Sequence, residues 1–321
     1  MRRPLLRLAA LAAVAGGALV GSAFHADMER ARGRLVGRSQ VIDSPWGPIE
    51  YADVGQGPAV LMIHGSGGGF DQGLDFAEPL ARSGFRVIAP SRFGYLRSAF
   101  PEGASPEMQA DALAHLLARL GVERAVVIGG SAGALSATQL ALRHPTLCRG
   151  LVLMVPASYA PDRPTNASAA QSPAVAAAVQ GLLRSDFLFW AASRVAPEGM
   201  TRLVLATEPA VVKAAPPDEQ RRVADVLAHI LPVSARADGL LLDSATAGAP
   251  PPYPLEQLAC PVLALSVRDD LYGTAAAAIH VAAQAPDARL VLYDRGGHLW
   301  VGHQEEVWRE VTDFLHGLPP N

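Results

Sequence analysis

Ala125-Val126-Val127-Ile128-Gly129-Gly130-Ser131-Ala132-Gly133 is the stretch that decides the fold: a short apolar run with strand character leads directly into G-x-S-x-G. A strand that reverses into a helix within two residues crowds its own backbone, so the flanking positions have no room for side chains and glycine fills them. The reading is a nucleophile elbow. It projects the Ser131 hydroxyl above the sheet. The helix expected over Ala132 to Arg143 points its N-terminal amides toward negative charge forming on a substrate bound there.

From about Ser39 onward, extended apolar runs alternate with helical patterns, which signals a mostly parallel sheet covered by helices. Ser39 to Asp43 and Pro48 to Ala52 form an opening hairpin around Ser44, Pro45 and Gly47. Further strands are expected at Ala59 to Ile63, Phe85 to Ala89, Ala125 to Ile128, Leu151 to Val155, Val262 to Leu265 and Arg289 to Tyr293. Pro106 to Leu120 carries Met108, Leu113, Leu116, Leu117 and Leu120 near helical spacing. Strand signals vanish between Pro156 and Pro251, where helical patterns at Ala174 to Arg184, Asp186 to Val195 and Asp218 to Leu231 lie between Pro-rich junctions. The organisation expected is an N-terminal segment and linker over residues 1–38, a core in two parts over 39–156 and 253–321, and a helical lid over 157–252.

A serine hydroxyl becomes a nucleophile only when a base takes its proton and an acid orients that base. His298 lies in Gly296-Gly297-His298, a loop after a strand that lets an imidazole swing over the sheet edge, and Asp269 and Asp270 follow the preceding strand. All stand at C-terminal strand ends, where open α/β sheets place their sites. Among nine histidines, His303 is the rival, expected in a capping or surface role at the start of the final helix. His64-Gly65-Ser66-Gly67-Gly68-Gly69 also ends a strand, and its glycines let backbone amides approach a substrate oxygen. The amides of Ser66 and Ala132 are the expected oxyanion hole, with Gly65 and Gly67 shaping the loop. Phosphate binding is disfavoured, since the run lacks a Lys-Ser/Thr ending and the G-x-G-x-x-G spacing. Asp71 and Gln72 follow the glycine loop; lining the mouth of the site is one reading, and Asp71 capping the next helix is the preferred one. The sequence holds no H-E-x-x-H and no Cys/His cluster, so neither metal nor cofactor is expected.

The 321 residues, half of them hydrophobic, suffice for one large domain or a core with an appendage. A net charge of −3 argues against a sequence-independent grip on nucleic acid, so the expected partner is a small-molecule substrate. Cys148 and Cys260 are too few for a disulfide scaffold; two buried free thiols is the preferred reading, with one bridge left open. Arg2, Arg3 and Arg7 accompany an uncharged run from Leu8 to Phe24. It reads as an export signal, cleaved after Ala23, or as a retained membrane anchor; a helix packed on the domain is disfavoured by the lack of a polar face. Export or anchoring is the expected location, with the cytoplasm as the alternative.

From about Val41 to Leu318 the chain resembles the α/β-hydrolase superfamily. Besides the elbow and the glycine loop, Pro90-Ser91-Arg92-Phe93-Gly94-Tyr95-Leu96-Arg97-Ser98 stands for the family turn P-D-x-x-G-x-G-x-S, with Ser91 for Asp and Leu96 for the second Gly. The resemblance implies an α/β fold: a mostly parallel sheet flanked by helices, with a helical lid inserted before the last two strands. It implies a triad in the order serine, acid, histidine. It also implies Asp270 over Asp269, because Asp270, counted from Pro261, holds the acid's place in P-x-L-x-x-x-G-x-x-D, with Val267 for the glycine. H-G-S-G-G-G is similar to the H-G-S-G-P-G loop of the meta-cleavage-product hydrolases, which cleave C–C bonds in ring-fission products. Those enzymes carry Asn before the nucleophile and Trp after the histidine, where this chain has Gly130 and Leu299, with Trp300 one place later. Arg194, near Phe189 and Trp190, is the candidate for their lid Arg that binds a substrate carboxylate. Gly130, Trp190, Arg194 and Trp300 are thus the candidate substrate contacts. The expected function is hydrolysis of an ester or activated carbonyl with an apolar or aromatic portion. C–C hydrolysis is the alternative, and a non-catalytic ligand-binding role comes third.

Overall fold

A computed structural model of the chain describes residues 2–163 and 180–319, with side chains from residue 16 onward. β1 (Gln40–Ile42) and β2 (Ile49–Val54) pair as the opening hairpin, and β2 runs antiparallel to β4 (Arg86–Pro90). The rest of the sheet is parallel: β3 (Ala59–Ile63), β5 (Ala125–Gly130), β6 (Cys148–Met154), β7 (Val262–Val267) and β8 (Ala288–Tyr293). The spatial order is β1-β2-β4-β3-β5-β6-β7-β8. The chain leaves β3 toward one edge, to β4, and later returns to β3's other side with β5, so strand order reverses there and a crevice opens at their C-terminal ends.

Both sheet faces are apolar because helices cover both. Along β3, Val60 and Met62 pack against α2 (Phe70–Arg82) and the C-terminal helix Gln304–Gly317, while Leu61 and Ile63 point to the opposite layer. That opposite layer holds α3 (Pro106–Arg119), α4 (Gly133–Arg143) and the helix Thr274–Gln284. In α3, Ser105 caps the first turn through its oxygen to the Met108 amide, Pro106 occupies the position where a missing N–H costs nothing, and Leu113, Leu116 and Leu117 are fully buried.

Between β6 and β7 the described residues form five successive helices from Asp186 onward: α5 (Asp186–Val195), α6 (Pro197–Val204), α7 (Pro209–Ala214), α8 (Pro217–Ala228) and α9 (Ala237–Thr246). These share a third core, in which Phe189, Met200, Leu227 and Ile230 meet Leu299 and Val301 from the loop carrying His298. The helix expected from Ala174 lies outside the described residues up to position 179.

The N-terminus differs from expectation in one respect: the end of its helix packs on the domain. Residues Arg2–Gly33 form one helix, α1, which runs through the expected cleavage position after Ala23. Its last turns pack on the insertion: Met28 and Ala31 are buried, and Phe24 meets the rings of Phe187 and Trp190 edge-on. The polar contact that an apolar run lacks begins just beyond it, at Asp27. Farther up, Leu19 and Val20 are exposed. Among the described residues no helix is long and apolar enough to cross a membrane. Cys148 and Cys260 are buried free thiols, their sulfurs 3.4 Å apart at neighbouring strand ends.

Candidate active site

The elbow is tight for the reason its glycines suggest. Ser131 adopts φ +51°, a left-handed conformation unfavourable for a residue with a Cβ. A Cβ on Gly129 would lie 2.6 Å from the Ala137 methyl, and one on Gly133 would lie 2.4 Å from the His64 carbonyl oxygen. Gly130 is different: the nearest atom to an added Cβ is the Ile63 oxygen at 4.0 Å. The motif's two glycines are sterically required, whereas the variable position before the serine has open space beside it.

The structure brings Ser131, His298 and Asp270 together. His298 Nε2 lies 2.9 Å from Ser131 Oγ and Nδ1 lies 2.8 Å from Asp270 Oδ2. With Nδ1–H donating to the carboxylate, Nε2 is left to accept the serine proton. Asp270 also accepts the Tyr272 amide at 2.8 Å and the Thr274 hydroxyl. Burial alone raises a carboxyl pKa, but the facing His298 and these donors hold Asp270 below the usual carboxylate range. Asp269 does a different job, accepting the Gly297 amide at 2.7 Å and so bracing the histidine loop. The Tyr272 ring stands edge-on to His298 at 5.0 Å, and its hydroxyl donates to the carbonyls of Leu203 and Val204 in the insertion.

Across the crevice, Gly65 approaches so closely that an added Cβ would sit 3.0 Å from Ser131 Cβ. The Gly65 amide donates to Gln72 Oε1 at 3.0 Å and the Gly67 amide to the Tyr95 hydroxyl at 3.3 Å. Neither the Ser66 nor the Ala132 amide donates to an acceptor among the described residues. These two N–H groups are therefore available to an oxyanion. His64 is fully buried, with Nδ1–H donating to the Gly65 carbonyl and Nε2 accepting the Arg92 amide at 2.9 Å. Burial, reinforced by the Arg92 charge, pushes its pKa well down, so it is a neutral structural imidazole.

Four expectations need correction. Trp190 and Arg194 are engaged by another partner: the Trp190 Nε1–H donates to Asp27 of α1 at 2.7 Å, and Arg194 pairs with the same carboxylate. Trp300 is a core residue, its ring against Phe76 and its Nε1–H donating to Gln304. Asp71 is not a helix cap; it lies in the first turn of α2, buried, and forms a paired contact with Arg236, which is itself fully buried. Gln72 accepts the Gly65 amide and so braces the glycine loop. His303 precedes the last helix and pairs with Glu306.

Sequence reading missed the residues that tie the insertion to this site. Asp243, on α9, accepts both Arg92 guanidinium nitrogens at 2.8 and 2.6 Å, the Tyr95 hydroxyl at 2.6 Å and the Ser66 hydroxyl at 2.9 Å. Asp243 offsets the cost of burying Arg92 and raises that guanidinium's pKa further. An acid on a helix carries no sequence signal separating this role from a solvated face. Arg92 and Tyr95 did carry one, since both lie in the Pro90–Ser98 turn. In that turn Leu96 takes φ +52° where the glycine pattern expects left-handed backbone, and Ser91 bridges the Phe70 amide to Glu50. Among the described residues no group of three or more His, Cys, Asp or Glu is placed to hold a metal.

Comparison with known proteins agrees with this architecture. The sequence model of the alpha/beta hydrolase fold matches residues 58–301. A 2-hydroxy-6-oxononadienedioate/2-hydroxy-6-oxononatrienedioate hydrolase of Paraburkholderia xenovorans is 39% identical over 112 residues, which is 33% of this chain. The chain thus spans only 39% of that relative's length. An alpha/beta hydrolase fold protein from Nakamurella multipartita superposes with a TM-score of 0.65 at 27% identity, covering 86% of this chain and 98% of its own. A bacterial membrane phospholipase A superposes with a TM-score of 0.66 at 24% identity over 99% of both chains, so its fold extends to the N-terminal helix.

Proposed function

Because the chain belongs to the alpha/beta hydrolase fold family, we propose that it is a serine hydrolase cleaving an ester or similarly activated carbonyl through an acyl-enzyme on Ser131. The observation that carries this is the unbroken line Asp270–His298–Ser131 facing two amides without acceptors. As Ser131 Oγ attacks the carbonyl carbon, His298 Nε2 takes its proton and Asp270 stabilises the imidazolium. The carbonyl oxygen becomes an oxyanion held by the Ser66 and Ala132 amides. Collapse breaks the ester C–O bond, and the proton on Nε2 passes to the leaving alcohol. Water, deprotonated by His298, then attacks the acyl-enzyme and releases the acid and free Ser131. No step calls for a cofactor. The composition of the insertion, rich in Ala, Leu and Val, supports an apolar or aromatic substrate portion.

The names of the relatives back a second reading, C–C hydrolysis of a ring-fission product, better than the ester. Gly130 in place of Asn, and the engagement of Arg194 with Asp27, favour the ester. As part of the same proposal, the uncharged run from Leu8 to Phe24, exposed at Leu19 and Val20, supports a location at a membrane or outside the cytoplasm; cell fractionation tests this.

A fluorophosphonate probe tests the mechanism. Labelling of the wild type that is absent from Ser131→Ala supports it, and an unlabelled wild type refutes it. Aryl esters set beside a ring-fission dienoate then separate the two substrates.

A further inference from the structure

The insertion between β6 and β7 reaches into the core at two buried charges, and both end on the glycine loop. Arg236, just before α9, pairs with Asp71 and donates to the Gly68 carbonyl. Asp243, seven residues farther on and 3% exposed, receives the Ser66 hydroxyl directly and holds Gly67 through the Tyr95 hydroxyl. Three successive loop residues are thereby fixed from outside the loop. The one donor among them left without an acceptor is the Ser66 amide. A glycine-rich segment has no side-chain packing of its own to set the direction of its peptide planes. The constraint has to come from elsewhere.

We propose that Asp243 is a positioning residue for the oxyanion hole: by anchoring the Ser66 hydroxyl, it orients the Ser66 amide toward the oxygen of a substrate bound at Ser131. This rests on the serine-hydrolase reading above. The insertion then does more than cover the substrate, because its carboxylate completes the geometry of a catalytic loop that lies 177 residues away in sequence. The bidentate contact with Arg92 keeps Asp243 in one orientation, and Arg92 in turn donates to the His64 carbonyl at 3.0 Å, which fixes the start of the same loop. A preorganised donor contributes most to the transition state, where the oxygen carries charge, and little to binding the planar ester.

The test compares Ser66→Ala, Ser66→Thr and Asp243→Asn with the wild type. Readouts are kcat and KM on an aryl ester, affinity for a trifluoromethyl ketone that forms a tetrahedral adduct, and Tm. Loss of a whole oxyanion donor costs roughly 10²–10³-fold in kcat, so loosening one predicts a drop of about tenfold in Ser66→Ala. KM and Tm stay near wild type, the ketone weakens by a similar factor, and Ser66→Thr, which keeps the hydroxyl, recovers most of the loss. Asp243→Asn lowers kcat at least as far, and adding it to Ser66→Ala lowers kcat by less than the product of the two. Wild-type kcat and ketone affinity in Ser66→Ala overturn the proposal, as does full additivity. Should Asp243→Asn fail to fold, the Ser66 pair decides, since it leaves the Asp243–Arg92 contact intact. Fluorophosphonate labelling of the wild type separates the two levels: without it the serine-hydrolase reading and this inference fall together, and with it only this inference is at stake.

Discussion

Gly133→Ala is the sharpest perturbation of the elbow. The added methyl would lie 2.4 Å from the His64 carbonyl oxygen and 2.6 Å from that of Ile63. Close carbon–oxygen contacts settle near about 3.3–3.6 Å, so α4 and the end of β3 must separate by roughly 1 Å. Both obstacles are backbone and neither can rotate away. Overpacking of this kind costs about 1–3 kcal/mol, while exchanging Gly for Ala at a helical position returns at most about 1 kcal/mol. The net expectation is a loss of about 1–2 kcal/mol, which for a large domain lowers Tm by roughly 2–8 °C. The same separation pulls the His64–Gly69 loop away from Ser131, and a displacement near 1 Å in a reacting geometry costs on the order of 100-fold in kcat/KM. Thermal unfolding followed by far-UV circular dichroism, together with aryl-ester kinetics, measures both. Gly130→Ala is the stability control, because its methyl meets nothing closer than 4.0 Å and its Tm should stay within about 2 °C of wild type. A Gly133→Ala protein with wild-type Tm and kcat/KM, or a Gly130→Ala protein destabilised as much, refutes the steric argument.

Asp270→Asn should lower kcat by roughly 10³–10⁴-fold, by removing the carboxylate that sets the His298 tautomer, whereas Asp269→Asn should lose less than about tenfold; steady-state kinetics of the pair checks which acid faces the histidine. Asp270 has its pKa depressed in the fold despite burial, so its contribution to stability is complete above the unfolded carboxyl value of about 3.9 and is lost as pH falls through the lower folded value. Urea unfolding against pH should therefore show stability declining below about pH 4, with a shallower decline in Asp270→Asn. Arg236→Ala leaves the buried Asp71 charge with only the looser Arg34 contact at 3.9 Å and should cost about 3 kcal/mol in urea unfolding; joint replacement by Arg236→Met and Asp71→Leu should recover most of that loss.

The architecture was legible in the chain because its signals are local. β3 alternates Val60 and Met62 with Leu61 and Ile63, and each pair has its own covering layer; α3 announces itself with Ser105, Pro106 and leucines at helical spacing. Strand ends shifted by only a few residues, as for β6, expected from Leu151 and observed from Cys148. The packing of the N-terminal helix was not legible, for a physical reason. Hydropathy averages over a run, but docking needs only a few contacts at one end, and Met28, Ala31 and Asp27 lie just past the uncharged stretch that dominated the reading. Arg194 misled likewise, since a sequence shows a cation near aromatic residues without showing that an acid from 167 residues earlier has claimed it.

By itself the sequence determined the sheet, the sharp turn at Ser131 and the strand ends that carry His298, Asp269 and Asp270. These follow from residue size and hydrophobic period, which act over a few neighbours. Tertiary structure alone decided that Arg194 turns to Asp27, that Asp71 pairs with Arg236, and that the insertion holds the glycine loop through Asp243 and Arg236. Those outcomes depend on which polar groups find one another across the fold. A charged group removed from water must be paired, and its partner is set by where the chain places it in space, whatever the distance along the sequence.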